Sequence, residues 1–105
     1  MKKRLNILGL NYTVEFKNLA LGKQECGNCS PDTLEIEIDA NLPPDKHNVS
    51  LFHEIIHAAL YETGNRKEYT NERLIDNLAL ALYQTLRDSG ALNMQWEMLK
   101  ESSRV

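Results

Sequence analysis

Pro43-Pro44 separates two stretches of chain whose apolar residues recur with different periods, and that change constrains the fold more than any other feature. Before it, Tyr12, Val14 and Phe16 alternate with Asn11, Thr13 and Glu15, and Leu34, Ile36 and Ile38 alternate with Glu35, Glu37 and Asp39. A period of two covers one face of a strand, so both stretches read as half-buried β-structure. After it, Val49, Phe52, Ile56, Ala59 and Leu60 follow a period near 3.6, which is the spacing of one side of a helix.

Turn and cap residues refine this division. Residues 5–16 read as strand, bend at Gly9, strand. Gly27-Asn28-Cys29-Ser30-Pro31-Asp32 reads as a turn, and residues 24–26 before it are candidates to pair with 34–39 as a hairpin. Asn48 fits the N-cap of the first helix and Gly64 the left-handed residue that ends it. A second helix is expected over residues 71–89, capped by Thr70 or Asn71 and stopped by Gly90, with Leu74, Leu78, Leu82 and Leu86 as its buried stripe. A short third helix over 92–100 would lay Trp96 and Leu99 on the core. The expected architecture is α+β: one domain over residues 1–105, with an antiparallel sheet of about three or four strands packed on the two longer helices.

Composition narrows the function. The apolar fraction of 42% in 105 residues suits one modest core, small enough for a bound metal to add materially to its stability. With a formal charge of −3 and only Lys2-Lys3-Arg4 as a basic run, nucleic acid is not an expected partner. No apolar run approaches the roughly 20 residues that span a bilayer, and the basic start leads into Asn6, Gly9 and Asn11, so no membrane partner and a cytoplasmic location are expected. Cys26 and Cys29 form a CxxC without a second pair, which reads as two reduced thiols in a turn.

The chemistry lies in His53-Glu54-Ile55-Ile56-His57, an HExxH in the middle of the first helix. Two histidines four residues apart share one helical face and can both reach one ion at about 2.0 to 2.1 Å. Glu54 is rotated away by roughly 100°, so it is placed as a general base toward a metal-activated water and not as a ligand. The surrounding Ile55, Ile56, Ala58, Ala59 and Leu60 make burial of two histidines costly without such a partner. On the second helix Glu72 and Asp76 share a face, which makes Glu72 the third metal ligand and Asp76 the acceptor for the outer ring N–H of one ligand histidine. Asp45, Glu62, Glu68 and Asp88 are alternative carboxylates, Glu68 being the nearest competitor, but none adds a partner on the same face. Tyr83, with Tyr61 and Tyr69, and His47 just before the helix are candidate donors to a tetrahedral intermediate.

HExxH followed by Asn71-Glu72-x-x-x-Asp76 resembles the gluzincin metallopeptidases of the thermolysin kind, and the arrangement over most of the chain looks like ImmA/IrrE-type peptidases and small phage-encoded zincin-like proteins. The resemblance implies a zincin-like fold, Zn2+ as cofactor, peptide or protein as substrate, and a bacterial or phage setting. The resemblance does not extend to the larger lobes of the first group or to the DNA-binding helix-turn-helix of the regulator-cleaving relatives. The expected function is zinc-dependent peptide-bond hydrolysis. Two other readings stay open: a non-catalytic module in which zinc only staples the fold, and a metal-free interaction domain. A free sheet edge at residues 34–39, with Glu35, Glu37 and Asp39 exposed, is expected to receive basic or neutral peptide segments.

Overall fold

A computed structural model of the chain describes residues 2–19 and 27–90. Among these residues the fold is α+β, with four strands, one turn of 3-10 helix at Pro31–Thr33 and three helices. The strands are β1 (Lys2–Ile7), β2 (Leu10–Lys17), β3 (Gly27–Ser30) and β4 (Glu35–Asp39). The helices are α1 (Pro44–Glu62), α2 (Arg66–Tyr69) and α3 (Glu72–Ser89).

The first two strands form the expected hairpin. Its two-residue turn places Leu8 (φ 52°) and Gly9 (φ 87°) in the left-handed region, and Asn6 Oδ1 accepts from Gly9 N at 2.9 Å. Two successive positive φ values match the twist of paired strands, but they suit glycine or asparagine far better than the exposed Leu8.

The remaining pairing departs from a wholly antiparallel sheet. Strand order is β1-β2-β4-β3, with β2 and β4 parallel and the other pairs antiparallel. The segment 27–30, read as a turn, is strand β3, so the tight reversal falls at Pro31–Thr33 with Leu34 left-handed at φ 57°. Its four residues are poor strand formers, and their placement comes from neighbours. A Cβ on Gly27 would stand 2.6 Å from the Glu37 carbonyl oxygen, so only glycine permits this approach. β4 takes the central place because Ile36 and Ile38 are fully buried, and a strand with no water on its inner face is best paired on both sides. Residues 34–39 therefore offer no free edge: Glu37 is held by Lys17 and Asn28, and the terminal strand is β3.

α1 lies on the inner face of the sheet. Leu51 and Ala58 join Ile7, Tyr12, Val14, Ile36 and Ile38 in one cluster, with Phe16, Cys29 and Ile55 at its margin. The helix begins a full turn before Asn48, with Pro43 as N-cap and Pro44 in the first turn, where a missing N–H costs nothing and φ is already helical. It ends at Thr63, followed by Gly64 at φ 80°. α2, which the sequence patterns did not reveal, is a single turn that leads the chain back to α3.

α3 starts where expected: the Asn71 side chain accepts from Leu74 N at 3.1 Å, and Gly90 closes the helix at φ 82°. The face it buries is not the one expected. Ile75, Ala79 and Tyr83 are turned inward, whereas Leu74, Leu78 and Leu82 remain exposed and Leu86 is half-buried. The small Ala79 lets α3 approach α1, and the face chosen also carries Glu72 and Asp76 toward the two histidines of α1. The expected hairpin partner 24–26, Cys26 and the helix at 92–100 lie outside the described residues. Among the described residues no helix is long and apolar enough to cross a membrane.

Candidate metal centre

His53 and His57 project from one side of α1 by the i, i+4 rule, and their ring centroids are 4.8 Å apart. The N-terminus of α3 arrives opposite them. One Glu72 oxygen is 2.9 Å from His53 Nε2, the other is 2.9 Å from His57 Nε2, and the two Nε2 atoms are 3.1 Å apart. On the far side of the first ring, Asp76 Oδ1 lies 2.7 Å from His53 Nδ1.

These distances define a proton arrangement. Asp76, a carboxylate, only accepts, so a His53 ring with its single hydrogen on Nδ1 donates to Asp76 and turns an Nε2 lone pair toward the centre. Burial lowers the pKa of His57 and outweighs the raising effect of Glu72, so this ring is neutral at pH 7. Its Nδ1 is enclosed and lacks a well-formed hydrogen bond. Two imidazole nitrogens and a carboxylate thus converge on one spot, an arrangement that a cation among them would satisfy.

The spacing suits one. A tetrahedral ion about 2.05 Å from each nitrogen separates them by about 3.3 Å, so the observed 3.1 Å requires outward movement of only a few tenths of an ångström. His53, His57 and Glu72 can hold a metal ion, all three donor atoms lying within 4.8 Å of one another. The rings are largely buried, with side-chain exposures of 15% and 10%, while Glu72 is 63% exposed, which leaves the cluster reachable from outside.

A cavity of about 1020 Å³ opens on this cluster. Its floor is the α1 face with Ser50, His53, Glu54 and His57, its wall the α3 face with Glu72, Asp76, Leu80 and Tyr83, and its far side β3. Glu54 lies 5% exposed on the sheet side of the histidines, and its Oε2 is 3.4 Å from where a Gly27 Cβ would stand. Cys29, a free thiol, lines the same wall. Burial, reinforced by Glu54 and Glu62, pushes its pKa up to about 12, so it stays a neutral packing group and not a thiolate ligand.

The aromatic donors separate clearly. Tyr69, carried in by α2, lines the cavity and meets the His57 ring edge-on at 5.1 Å. Its pKa is raised by burial and by the nearby Cys29 and Glu54, which keeps its hydroxyl protonated. Tyr83 also lines the cavity, but its hydroxyl donates to Asp45, and its ring packs against Phe52 at 6.5 Å. Tyr61 donates to Asp32 at 3.0 Å, outside the cavity. His47 is not brought to the site. Its Nε2 faces Ala40 O at 3.2 Å and its ring packs on Phe16, because position 47 already belongs to α1 and points toward the sheet end. Of the alternative carboxylates, Glu62 accepts from the buried Tyr12 at 2.6 Å and Asp45 from Tyr83, while Glu68 is not part of the cluster.

The sequence reading missed the contribution of β3. Gly27 inside the CxxC was its one signal, since a glycine flanked by polar residues in a strand marks a close backbone approach. Comparison with known proteins leaves the geometry to speak for itself: no protein-family model matches the chain, and neither does a curated protein or a solved structure.

Proposed function

We propose that this chain is a zinc-dependent peptidase of the gluzincin kind. The observation that carries the reading is the convergence of His53 Nε2 and His57 Nε2, 3.1 Å apart, each 2.9 Å from one Glu72 oxygen, with Asp76 behind His53 and the buried Glu54 alongside. Two nitrogens and a carboxylate oxygen from two helices are the donor set of a catalytic zinc, and a carboxylate next to it that is not a ligand has no purpose in a purely structural site. The order of the motifs, HExxH and then Asn-Glu-x-x-x-Asp, supports the same reading.

When bound, zinc supplies Lewis acidity toward a carbonyl oxygen and lowers the pKa of water. The protein's own groups do the rest. Glu54 takes the proton of the attacking water on a carboxylate oxygen and passes it to the leaving amine nitrogen. Asp76 fixes the tautomer and orientation of His53. Tyr69, protonated and beside His57, donates to the oxyanion that develops at the attacked carbonyl. The substrate is an extended peptide: β3 is the terminal strand among the described residues and its Gly27, Asn28 and Cys29 line the cavity, where main-chain pairing would position a chain without reading its sequence.

The test is metal content and hydrolysis measured on the same samples. Natively purified protein is expected to carry about one zinc per chain and to cleave a mixed peptide library, with Glu54→Gln keeping the metal and losing cleavage. Equal cleavage by Glu54→Gln would reject the base assignment, and a parent protein without metal would reject the reading as a whole.

A further inference from the structure

The cavity that holds the metal cluster continues past it, and its far end is lined by two cations. α1 and α3 run antiparallel along it: His53 meets Asp76 near the start of α3, whereas Asp45, at the start of α1, accepts from Tyr83 further along α3. Beyond the cluster the lining passes Val49 and the 54% exposed Leu80 and ends at Lys46 on α1 and Arg87 on α3. Lys46 precedes His53 by seven residues and Arg87 follows Asp76 by eleven, which at 1.5 Å per residue puts the cations about 10 to 16 Å along the groove from the cluster.

The charge of that end is not cancelled from within. Its lining carboxylate, Asp45, is engaged by the Tyr83 hydroxyl, and Asp45, Lys46 and Arg87 together leave one net positive charge. Among the described residues Lys46 has no ion-pair partner. Arg87 Nε is 3.3 Å from Asp88, but these side chains are 49% and 62% exposed, and so exposed a pair exchanges readily for another acceptor. The Arg87 guanidinium also lies 5.3 Å from the centroid of the Tyr83 ring, which Asp45 and Phe52 hold in place.

We infer that this end of the cavity is a subsite for a carboxylate of the substrate, so that the protein selects peptides with an acidic group about three to five residues from the bond that is cut. The spacing follows from the roughly 3.3 Å that each residue of an extended chain covers. Arg87 offers a planar fork of donors that matches a carboxylate, and Lys46 adds a point charge on a flexible stem. The carboxylate is an Asp or Glu side chain or the C-terminus of the substrate. Anchoring it fixes the register that main-chain pairing leaves open. The preference is opposite to that expected from Glu35 and Glu37, which belong to the interior strand β4. That the ligand is a peptide rests on the peptidase reading, whereas the subsite itself rests on Lys46 and Arg87.

Binding and cleavage are measured separately on the full chain. An uncharged peptide, acetylated, amidated and carrying a neutral fluorophore, is compared with versions in which one Glu is moved along it and with one that ends in a free carboxylate. Fluorescence anisotropy with zinc-loaded Glu54→Gln gives the affinity, and the parent protein gives KM, kcat and the bond cut. A Glu at the favoured position is expected to tighten binding about two- to fivefold for each cation it meets and to lower KM with little change in kcat. Lys46→Gln and Arg87→Gln each remove part of that preference and together abolish it, whereas Lys67→Gln, outside the cavity, leaves it intact. A gain confined to the free C-terminus would identify that carboxylate as the ligand. Equal affinity for neutral and Glu-containing peptides would overturn the inference, as would an equal loss in Lys67→Gln. Cleavage of every peptide with one KM would sink the subsite and leave the peptidase reading standing, and Glu-dependent binding without any cleavage would do the reverse.

Discussion

Asp76→Ala removes a carboxylate that never touches the proposed metal yet holds one of its ligands. Asp76 Oδ1 is 2.7 Å from His53 Nδ1, the length of a charge-assisted hydrogen bond, and it keeps the hydrogen on the outer nitrogen so that Nε2 faces the centre. Loss of such a partner costs a metal site about 10- to 100-fold in affinity. Exposure decides where in that range the effect falls. The His53 side chain is 15% exposed but that of Asp76 is 68% exposed, so water replaces much of the lost bond and screens the charge. The expected loss is therefore about tenfold, or about 1.4 kcal/mol. Asp76→Asn, which keeps an acceptor oxygen without the charge, is expected to fall between parent and alanine variant. Zinc affinity is read by competition with a chromophoric chelator at fixed pH and ionic strength. Zinc bound by Asp76→Ala as tightly as by the parent would show that the orientation of His53 is set by packing alone.

Three further outcomes follow from the fold and the site. Leu8→Asn, which puts an asparagine before Gly9 in a turn with two positive φ values, is expected to raise stability by about 1 kcal/mol in urea denaturation. Gly27→Ala sets a methyl group 2.6 Å from the Glu37 carbonyl oxygen and against Glu54, and should destabilise by about 1 to 3 kcal/mol while reducing cleavage more than zinc binding. His57 has a folded pKa lowered by burial from its ordinary 6.5, so between that lower value and 6.5 the unfolded chain binds more protons than the native one. The metal-free protein should accordingly lose stability as pH falls below about 6.5, as seen in thermal unfolding with a chelator present, and His57→Gln should flatten that slope.

Much of the site could be read before any coordinates, because its parts are local. HExxH and Asn-Glu-x-x-x-Asp each place their side chains by helical periodicity, and α3 forms over the residues whose period and caps call for it, while α1 covers its expected period but starts a turn earlier. His47 was misplaced because α1 begins at Pro44, a turn earlier than Asn48, which turns that ring toward Phe16. Helical spacing favours Tyr83, which shares a face with Asp76, over Tyr69. They differ in the structure because Asp45, distant in the chain, accepts the hydroxyl of one, while α2 brings the other beside His57.

Amino-acid order alone settled which residues share a helical face or a strand face, and so which side chains could act together within one element. Three matters needed the folded chain. β4 lies between β2 and β3, β3 is a strand and not a turn, and α3 buries Ile75, Ala79 and Tyr83 in place of its leucines. Each depends on partners far away in sequence: a carbonyl that leaves no room for a Cβ at Gly27, two isoleucines that need cover, and two histidines that draw a carboxylate from another helix. Periodicity describes one element at a time, and only the packing of elements against one another decides which of two apolar faces is buried.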